Sequence, residues 1–388
     1  MTQAPSPDQP SDQVRPDAGS QARSEARPVR LRPALDGVPT YRPGKPPTPV
    51  EGVTHFKLSS NENPYPPLPS VLDAIADAAS HVHRYPDPGV HGLRERIAAE
   101  LGVGPDEIVV GPGSAAVYDQ IVQALVDDGD EVVYSWRSFE LYPICVAARG
   151  GRSVQVPNTA EGRHDLPAMA RSIRRDTRLV IVCSPNNPTG ATVGAAELED
   201  FLARVPAHVA VLLDEAYLQF DTSGDRVDGL DVYRRHPNVV LLRTFSKAYG
   251  LAGLRVGYAV AHPRVAAALA KTGLPFAVTD VAQQAALASL DAAEELDLRV
   301  KSVLAERGRV QDALRDQGWD LPESHGNFVW LPLAAESLAF GQIADAAGIS
   351  VRPFDGDGVR VTIGEPAAND VLIRVCREFR EAGRPSVD

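Results

Sequence analysis

The chain has 388 residues with 51 acidic against 39 basic side chains, and its formal net charge of −12 argues against nucleic acid or an anionic membrane as the main partner. No run of about 18 apolar residues occurs and the N-terminus lacks the basic and apolar regions of a signal peptide, so we expect neither a membrane span nor secretion. The three cysteines match no zinc-site or disulfide spacing, so we expect a cytoplasmic protein without a metal site.

Two segments precede the first regular helix. Residues 1–28 are rich in proline, serine, aspartate and glutamine and have almost no large apolar side chains, so we expect a disordered tail that cannot offset the entropy lost on ordering. Residues 29–75 carry more apolar side chains and a turn cluster at Asn61–Pro66, followed by a helical pattern from Val71. We predict that this second segment is an ordered arm that joins a smaller domain.

Short apolar runs alternate with amphipathic stretches through residues 76–280. This pattern is typical of a mostly parallel sheet covered by helices, so we predict an α/β fold in which these residues form the larger domain. The seven predicted strands are Glu107–Val110, Glu131–Tyr134, Ser153–Val156, Leu179–Cys183, Val209–Leu213, Val239–Leu242 and Val256–Val260.

Residues 281–388 show a different order of elements. A long helical pattern runs from Val281 to Gln317, and a strand at Phe328–Leu331, a helix near Ile343 and a strand at Gly358–Ile363 follow it. We therefore predict a smaller α+β domain, completed by the N-terminal arm.

Lys247 follows the predicted strand Val239–Leu242 in a glycine-rich and otherwise apolar stretch. Burial in such a setting disfavours the charged ammonium, which lowers the pKa of a lysine and frees its amine for carbonyl chemistry. A lone lysine after a strand is more often a solvated loop residue, so the other strand ends decide between these interpretations.

Three other predicted strands end in residues suited to one ligand. The strand Glu107–Val110 runs into Gly111–Ala116, where the free N–H groups of a following helix could hold a phosphate. Leu179–Cys183 leads to Asn187, and Val209–Leu213 leads to Asp214–Tyr217, where an acid could keep a pyridinium nitrogen protonated. Open α/β sheets bind ligands at these ends, so we expect the four segments to form one site.

The segments SPNNPTG at Ser184–Gly190, DEAY at Asp214–Tyr217 and FSKAYGLAGLR at Phe245–Arg255 carry a family resemblance. In this order and spacing they resemble the class I/II, fold-type-I aminotransferases, and within them the histidinol-phosphate aminotransferase group. The resemblance extends from about Leu31 to the C-terminus. It implies the fold-type-I transferase fold, pyridoxal 5′-phosphate as cofactor, and a homodimer with shared active sites.

The resemblance also implies a role for each residue around the cofactor ring. Lys247 holds the cofactor as a Schiff base and then moves a proton as general base and acid. Asp214 pairs with the pyridine nitrogen, while Asn187 and Tyr217 bond the ring oxygen. Phe139 stacks on the ring.

At the phosphate end, the resemblance assigns binding to Ser246, Arg255 and the backbone amides of Ser114 and Ala115. Many relatives have an acidic pair after the loop glycine where this chain has alanines, and we expect that difference to alter packing only, because backbone amides bind the phosphate. Tyr85 matches a tyrosine that reaches the neighbouring subunit's cofactor phosphate.

On the substrate side, Arg360 matches the arginine that grips the substrate carboxylate, Arg352 lies in the same block, and Asn327 matches a strand entering this side. The blocks Trp136–Pro143 and Asn327–Leu333 look more like the aromatic amino acid aminotransferase branch. The resemblance therefore favours phenylalanine or tyrosine as amino donor with 2-oxoglutarate as acceptor. Histidinol phosphate remains the alternative, since both substrates present a flat ring and can use arginines.

Two other functions use the same fold. A catalytically silent protein that binds the cofactor and regulates a partner is disfavoured by the joint retention of Lys247, Asp214, Asn187 and Arg255. A decarboxylase of an amino-acid phosphate stays open, because one scaffold can host several chemistries.

Overall fold

The computed structural model describes residues 29–382, so the predicted tail at 1–28 lies outside the described residues. Numbered in chain order, its strands are β1 Phe56–Lys57, β2 Ile108–Gly111, β3 Glu131–Trp136, β4 Arg152–Pro157, β5 Thr177–Cys183, β6 Ala210–Asp214, β7 Val239–Thr244, β8 Gly257–Val260, β9 Phe328–Leu331, β10 Ile349–Ser350, β11 Arg352–Phe354 and β12 Gly358–Thr362. The α-helices are α1 Pro69–Ala79, α2 His91–Leu101, α3 Ser114–Leu125, α4 Leu141–Arg149, α5 Leu166–Ser172, α6 Ala195–Leu202, α7 Gly229–Arg235, α8 Pro263–Thr272, α9 Asp280–Asp291, α10 Ala293–Asp316, α11 Ser337–Ala346 and α12 Pro366–Ala382.

The central sheet has seven strands in the order β2-β8-β7-β6-β5-β3-β4. Strands β4, β3, β5, β6 and β7 pair in parallel, whereas β8 is antiparallel to both β7 and β2. This arrangement confirms the predicted α/β fold with a mostly parallel seven-stranded sheet. Each predicted strand of this sheet is present with its bounds shifted by at most two residues.

Helices cover both faces of the central sheet. In β5, Leu179 and Ile181 join the apolar cluster on one face, while Val180 and Val182 join the cluster on the other. Because successive side chains of a strand point to opposite faces, a strand buried on both sides is a continuous apolar run. The sequence signal of these strands therefore follows directly from their burial.

A smaller antiparallel sheet, in the order β11-β12-β9, lies with α10, α11 and α12. The arm contributes β1, which pairs in parallel with β10 and so joins the C-terminal part of the chain. Helix α1 spans residue 75, the predicted end of the arm, and packs against α9. No helix of residues 29–382 is both long and apolar enough to cross a membrane.

The single long helical pattern predicted from Val281 to Gln317 is wrong in one respect, since the structure has two helices, α9 and α10, that meet at Ala292. Ala292 has φ −99° and ψ 36°, outside the helical region. Helix α9 packs against α1 and α2, whereas α10 packs against α12. Each half buries its apolar side against a different neighbour, so the chain must change direction between them.

Candidate active site

The strand ends of the central sheet and the small sheet enclose a cavity of about 250 Å³, here called the central cavity. Most of the predicted site residues line it. They are Ser114, Ala115, Phe139, Asn187, Asp214, Tyr217, Ser246, Lys247, Arg255, Arg352 and Arg360. Tyr85 and Asn327 do not line it. The segments that follow β2, β5, β6 and β7 thus meet at one place, as expected for the carboxyl edge of an open α/β sheet.

Lys247 lies three residues beyond the end of β7, and its Nζ donates to the Ser60 carbonyl oxygen at 3.1 Å. Burial and the nearby positive charge of Arg360 lower the pKa of Lys247 to about 7, although Glu62 opposes the shift. At this pKa a large fraction of the amine is neutral near pH 7. Lys247 is therefore able to react with a carbonyl group without first losing a proton.

Asp214 ends β6 and is buried. Its Oδ2 accepts a 2.6 Å hydrogen bond from the Tyr142 hydroxyl, and its Oδ1 accepts one from the Ala216 amide. Burial raises the pKa of Asp214 to about 6, while these two hydrogen bonds oppose the rise. Neither donor is cationic, so a cationic ring nitrogen in the cavity would fit as the missing partner of this carboxylate.

Sequence reasoning did not identify Tyr142. It lies in the first turn of α4 and is fully buried among other aromatic rings. The available signal was weak: a tyrosine on the apolar side of a helix needs a partner for its hydroxyl, and the sequence does not reveal which residue that is.

Asn187 and Tyr217 both line the central cavity and have partners from distant parts of the chain. The Asn187 Oδ1 accepts from an Arg360 NH group at 2.6 Å, and the Tyr217 hydroxyl accepts from the Asn61 amide at 2.9 Å. Asn61, a second residue that sequence reasoning missed, holds φ at +53°. Asparagine tolerates this left-handed conformation better than most residues. The asparagine at the start of the Asn61–Pro66 turn cluster was therefore the sequence signal that could have identified this position.

Asn327, which we predicted on the substrate side, does not line the central cavity. Its side-chain amide is buried behind the arm and donates to the Asn61 carbonyl oxygen at 3.1 Å. Asn327 therefore supports the turn that carries Asn61, and its role on the substrate side stays a prediction.

The N-terminus of α3 and the guanidinium of Arg255 form one end of the cavity. Gly113, with φ +88°, leads into Ser114 and Ala115 in the first turn of the helix, whose amide N–H groups point out of its N-terminus. Arg255 donates to the Ser246 hydroxyl at 3.3 Å and to the Ala252 carbonyl at 2.9 Å. Amide dipoles, a hydroxyl and a cation in one corner suit a phosphate group.

The opposite end carries two arginines from the small sheet. Arg360 donates to Asn187 and to the Ser59 carbonyl oxygen, and its buried Nε has no hydrogen-bond partner among the described residues. Arg352 instead donates to the Glu140 carboxylate at 2.7 Å. Glu140 is a third residue absent from our sequence-based site, and it follows Phe139, which also lines the cavity.

Tyr85 lies on the surface, with 83% of its accessible area exposed, and its ring packs 4.7 Å from that of Phe276. Within one chain, Tyr85 is therefore separate from the central cavity. A role at the active site requires a second copy of the chain.

Comparison with known proteins agrees with this geometry. The family model described as aminotransferase class I and II matches residues 53–375. The aromatic amino acid aminotransferase of Streptomyces coelicolor is 54% identical over 358 residues, covering 92% of this chain and 99% of the relative, and that of Thermobifida fusca is 49% identical over 356 residues, covering 92% and 99%. The solved histidinol-phosphate aminotransferase of Sinorhizobium meliloti in complex with pyridoxal-5′-phosphate superposes with a TM-score of 0.82 at 29% identity, covering 92% of this chain and 100% of the other. The chain belongs to the class I and II aminotransferases.

Proposed function

We propose that this aminotransferase uses pyridoxal 5′-phosphate to move an amino group between an aromatic amino acid, phenylalanine or tyrosine, and 2-oxoglutarate. The observation that carries the proposal is the composition of the central cavity. It holds a lysine amine whose pKa is lowered to about 7 and a buried carboxylate, that of Asp214, whose two hydrogen-bond donors are both neutral. The corner around Arg255 can bind an anion. The amine, the carboxylate and this corner match the aldehyde, the ring nitrogen and the phosphate of the cofactor in turn.

The residues would divide the work of cofactor binding. Asp214 would hold the ring nitrogen, Tyr217 and Asn187 the ring oxygen, and the corner around Arg255 the phosphate, with Phe139 against the ring face. When bound, the cofactor supplies an aldehyde for amine exchange and an electron-withdrawing ring. The low pKa of Lys247 then lets its amine accept the proton from the substrate α-carbon.

Substrate selection follows from the arginine end of the cavity. Among residues 29–382 the buried Nε of Arg360 has no hydrogen-bond partner, so its fork can hold the α-carboxylate of an amino acid. The rings of Phe139, Phe354 and Tyr41 also line the cavity and would accept a flat apolar side chain. The relatives named for aromatic amino acids are more similar to this chain than the histidinol-phosphate structure, which favours the aromatic substrate.

We also propose a homodimer in which Tyr85 reaches the partner's cofactor phosphate. Tyr85 and Phe276 pack together on the surface, and Leu274 nearby is 79% exposed. Large exposed apolar side chains of this kind are typical of a protein interface.

The first experiment measures cofactor absorbance and turnover of phenylalanine, tyrosine and histidinol phosphate, each with 2-oxoglutarate. We expect phenylalanine or tyrosine to exceed histidinol phosphate in kcat/KM by about tenfold or more, or roughly 1.4 kcal/mol of discrimination. Lys247→Ala should lose the visible band of bound cofactor and turnover, while the control Lys271→Ala, at an exposed position in α8, should retain both. Higher kcat/KM for histidinol phosphate, or an unchanged spectrum of Lys247→Ala, would contradict the proposal.

The second experiment tests the shared site by mixing two inactive chains. A Tyr85→Ala chain paired with a Lys247→Ala chain has one site with both residues and one with neither. Random refolding of equal amounts makes about half of the dimers hybrid, so roughly a quarter of all sites should be intact. A mixture no more active than the mean of its components, each refolded alone, would show that Tyr85 serves its own chain.

A further inference from the structure

We propose that Glu140 sets the charge of the substrate, because its carboxylate neutralises Arg352 and leaves an anion-binding end suited to a singly charged carboxylate and not to a phosphate. The inference rests on the proposed function, since it concerns the substrate that the same cavity takes. Glu140 would thus be a positioning residue that acts through Arg352.

The two arginines lie next to each other. Arg352 and Arg360 are directly paired in the register of β11 and β12, so their side chains leave the small sheet on the same face. Their guanidinium carbons lie 5.6 Å and 6.0 Å from the centre of the Phe354 ring. Both side chains line the central cavity, so a bound anion meets them together.

The two arginines differ in what compensates their charge. Arg360 donates to an amide oxygen and a carbonyl oxygen, both neutral. Arg352 forms an ion pair with Glu140 in which the side chains are only 14% and 29% exposed. Glu62 also lines the cavity, but it pairs with Lys57 at 3.0 Å. The arginine end therefore carries two positive charges and one negative charge, and the remaining single charge matches an α-carboxylate.

The position of Glu140 in α4 supports a role outside its own helix. Glu140 is the residue that precedes the first turn of α4, yet within the described part of the chain its side chain makes no capping hydrogen bond. It extends to the small sheet instead. A neighbouring pair, Arg137 with Asp357, already joins the same loop to the turn between β11 and β12. The loop is thus already attached to the small sheet without Glu140, and the contribution of Glu140 is its negative charge.

A phosphate ester bears a charge of about −1.5 to −2 near pH 7, whereas a carboxylate bears −1. Placed against Arg352 and Arg360, the phosphate would bring its second charge close to the Glu140 carboxylate. Like charges in a partly buried site repel strongly, and such juxtapositions are a common way to reject a wrong partner. A substrate carboxylate has a single charge, which Arg360 balances, so it brings no second charge close to Glu140.

The test measures kcat and KM for L-phenylalanine and for histidinol phosphate in matched variants. Glu140→Gln keeps the shape and removes the charge, so we expect at least a tenfold gain in kcat/KM for histidinol phosphate, mainly through KM, and a clearly smaller gain for phenylalanine, whose single charge Arg360 already balances. Glu140→Asp keeps the charge and should retain the wild-type preference. The control Asp357→Asn breaks the neighbouring ion pair outside the cavity and should also leave the preference unchanged.

A double variant distinguishes an effect of charge from a general increase in the flexibility of the loop that carries Glu140. Glu140→Gln combined with Arg352→Gln returns the arginine end to a single positive charge, so the gain for histidinol phosphate should disappear. An unchanged preference in Glu140→Gln, or an equal gain for both substrates, overturns the role of Glu140. If the wild type turns over phenylalanine and Glu140→Gln shows no shift, the proposed function stands and only this inference fails. Absence of wild-type turnover of phenylalanine and tyrosine overturns both.

Discussion

Replacing Gly113 by alanine should weaken cofactor binding although no side chain expected to contact the cofactor is itself substituted. Gly113 holds φ +88° and ψ 155°, a conformation that is nearly restricted to glycine. A Cβ added there would lie 2.4 Å from an Arg255 terminal nitrogen and 3.0 Å from its guanidinium carbon. Since a real Cβ does not approach so closely, the guanidinium must move away from the phosphate corner.

The expected size of the effect has two parts. The strained backbone costs on the order of 1–3 kcal/mol of stability. Displacement of Arg255 removes a charge-assisted hydrogen bond to the phosphate, which contributes about 1.5–3 kcal/mol. At 1.4 kcal/mol for each factor of ten, the second part corresponds to about 10- to 150-fold weaker binding.

Spectrophotometric titration of the cofactor-free protein with pyridoxal 5′-phosphate gives the affinity, and chemical unfolding gives the stability. Gly253→Ala is the matched control, because Gly253 lies close to Arg255 in the chain and a Cβ there meets no atom within 4 Å. We expect the control to bind the cofactor within about twofold of the wild type, as surface substitutions without a specific mechanism do. An affinity of Gly113→Ala equal to that of the control would refute the reasoning.

Three further predictions concern buried polar groups. Tyr142→Phe removes a hydrogen bond that lowers the pKa of Asp214, so this pKa should rise above about 6. When cofactor affinity is measured as a function of pH, the pH below which the affinity falls should therefore be higher than in the wild type. The pKa of Lys247 is lowered from 10.5 in the unfolded chain to about 7 in the folded, cofactor-free protein. Between pH 10.5 and 7 the unfolded chain therefore binds more protons than the folded protein. The folded protein loses stability as the pH falls through this range. Lys247→Met should lack that loss, so its advantage in unfolding free energy should be larger at pH 7 than at pH 10.5 in urea. Asn61→Gly keeps the left-handed backbone but removes the donor to Tyr217 and the acceptor of the Thr362 hydroxyl, and should lower kcat/KM by about 2- to 10-fold together with about 1–3 kcal/mol of stability.

Each of these has a contradicting result. An unmoved pH dependence in Tyr142→Phe would show that its hydroxyl does not influence Asp214. A constant stability difference between wild type and Lys247→Met from pH 10.5 to 7 would contradict the lowered pKa of Lys247. Full activity of Asn61→Gly would show that Tyr217 needs no donor from the arm.

The central sheet could be predicted because its signal is local. A strand buried on both faces must be apolar along its length, so runs such as Leu179–Cys183 mark it without knowledge of its neighbours. The lysine, asparagine and aspartate of the site follow such strands directly, and the edge of a parallel sheet then brings them together.

The residues that were missed depend on contacts between distant parts of the chain. Tyr142 meets Asp214 across 72 residues and Glu140 meets Arg352 across 212, and neither pair has a local pattern. Asn327 likewise meets the Asn61 carbonyl oxygen across 266 residues, a contact that its place next to a strand of the small sheet did not indicate. The break at Ala292 was missed because both helices keep the same periodicity and differ only in the partner they pack against.

The arm has a consequence for how the protein becomes active during synthesis. Carbonyl oxygens of Ser59 and Ser60 accept from Arg360 and Lys247, which lie 301 and 187 residues further along the chain. A nascent chain is made from its N-terminus, so the arm cannot form these hydrogen bonds until most of the chain has been translated and its partners have left the ribosome. The cavity is complete only once β12 has emerged, so a chain truncated before β12 lacks Arg360, the arginine proposed to hold the substrate carboxylate. Unfinished chains should therefore be inert, and activity should appear only when the two distant ends of the fold meet.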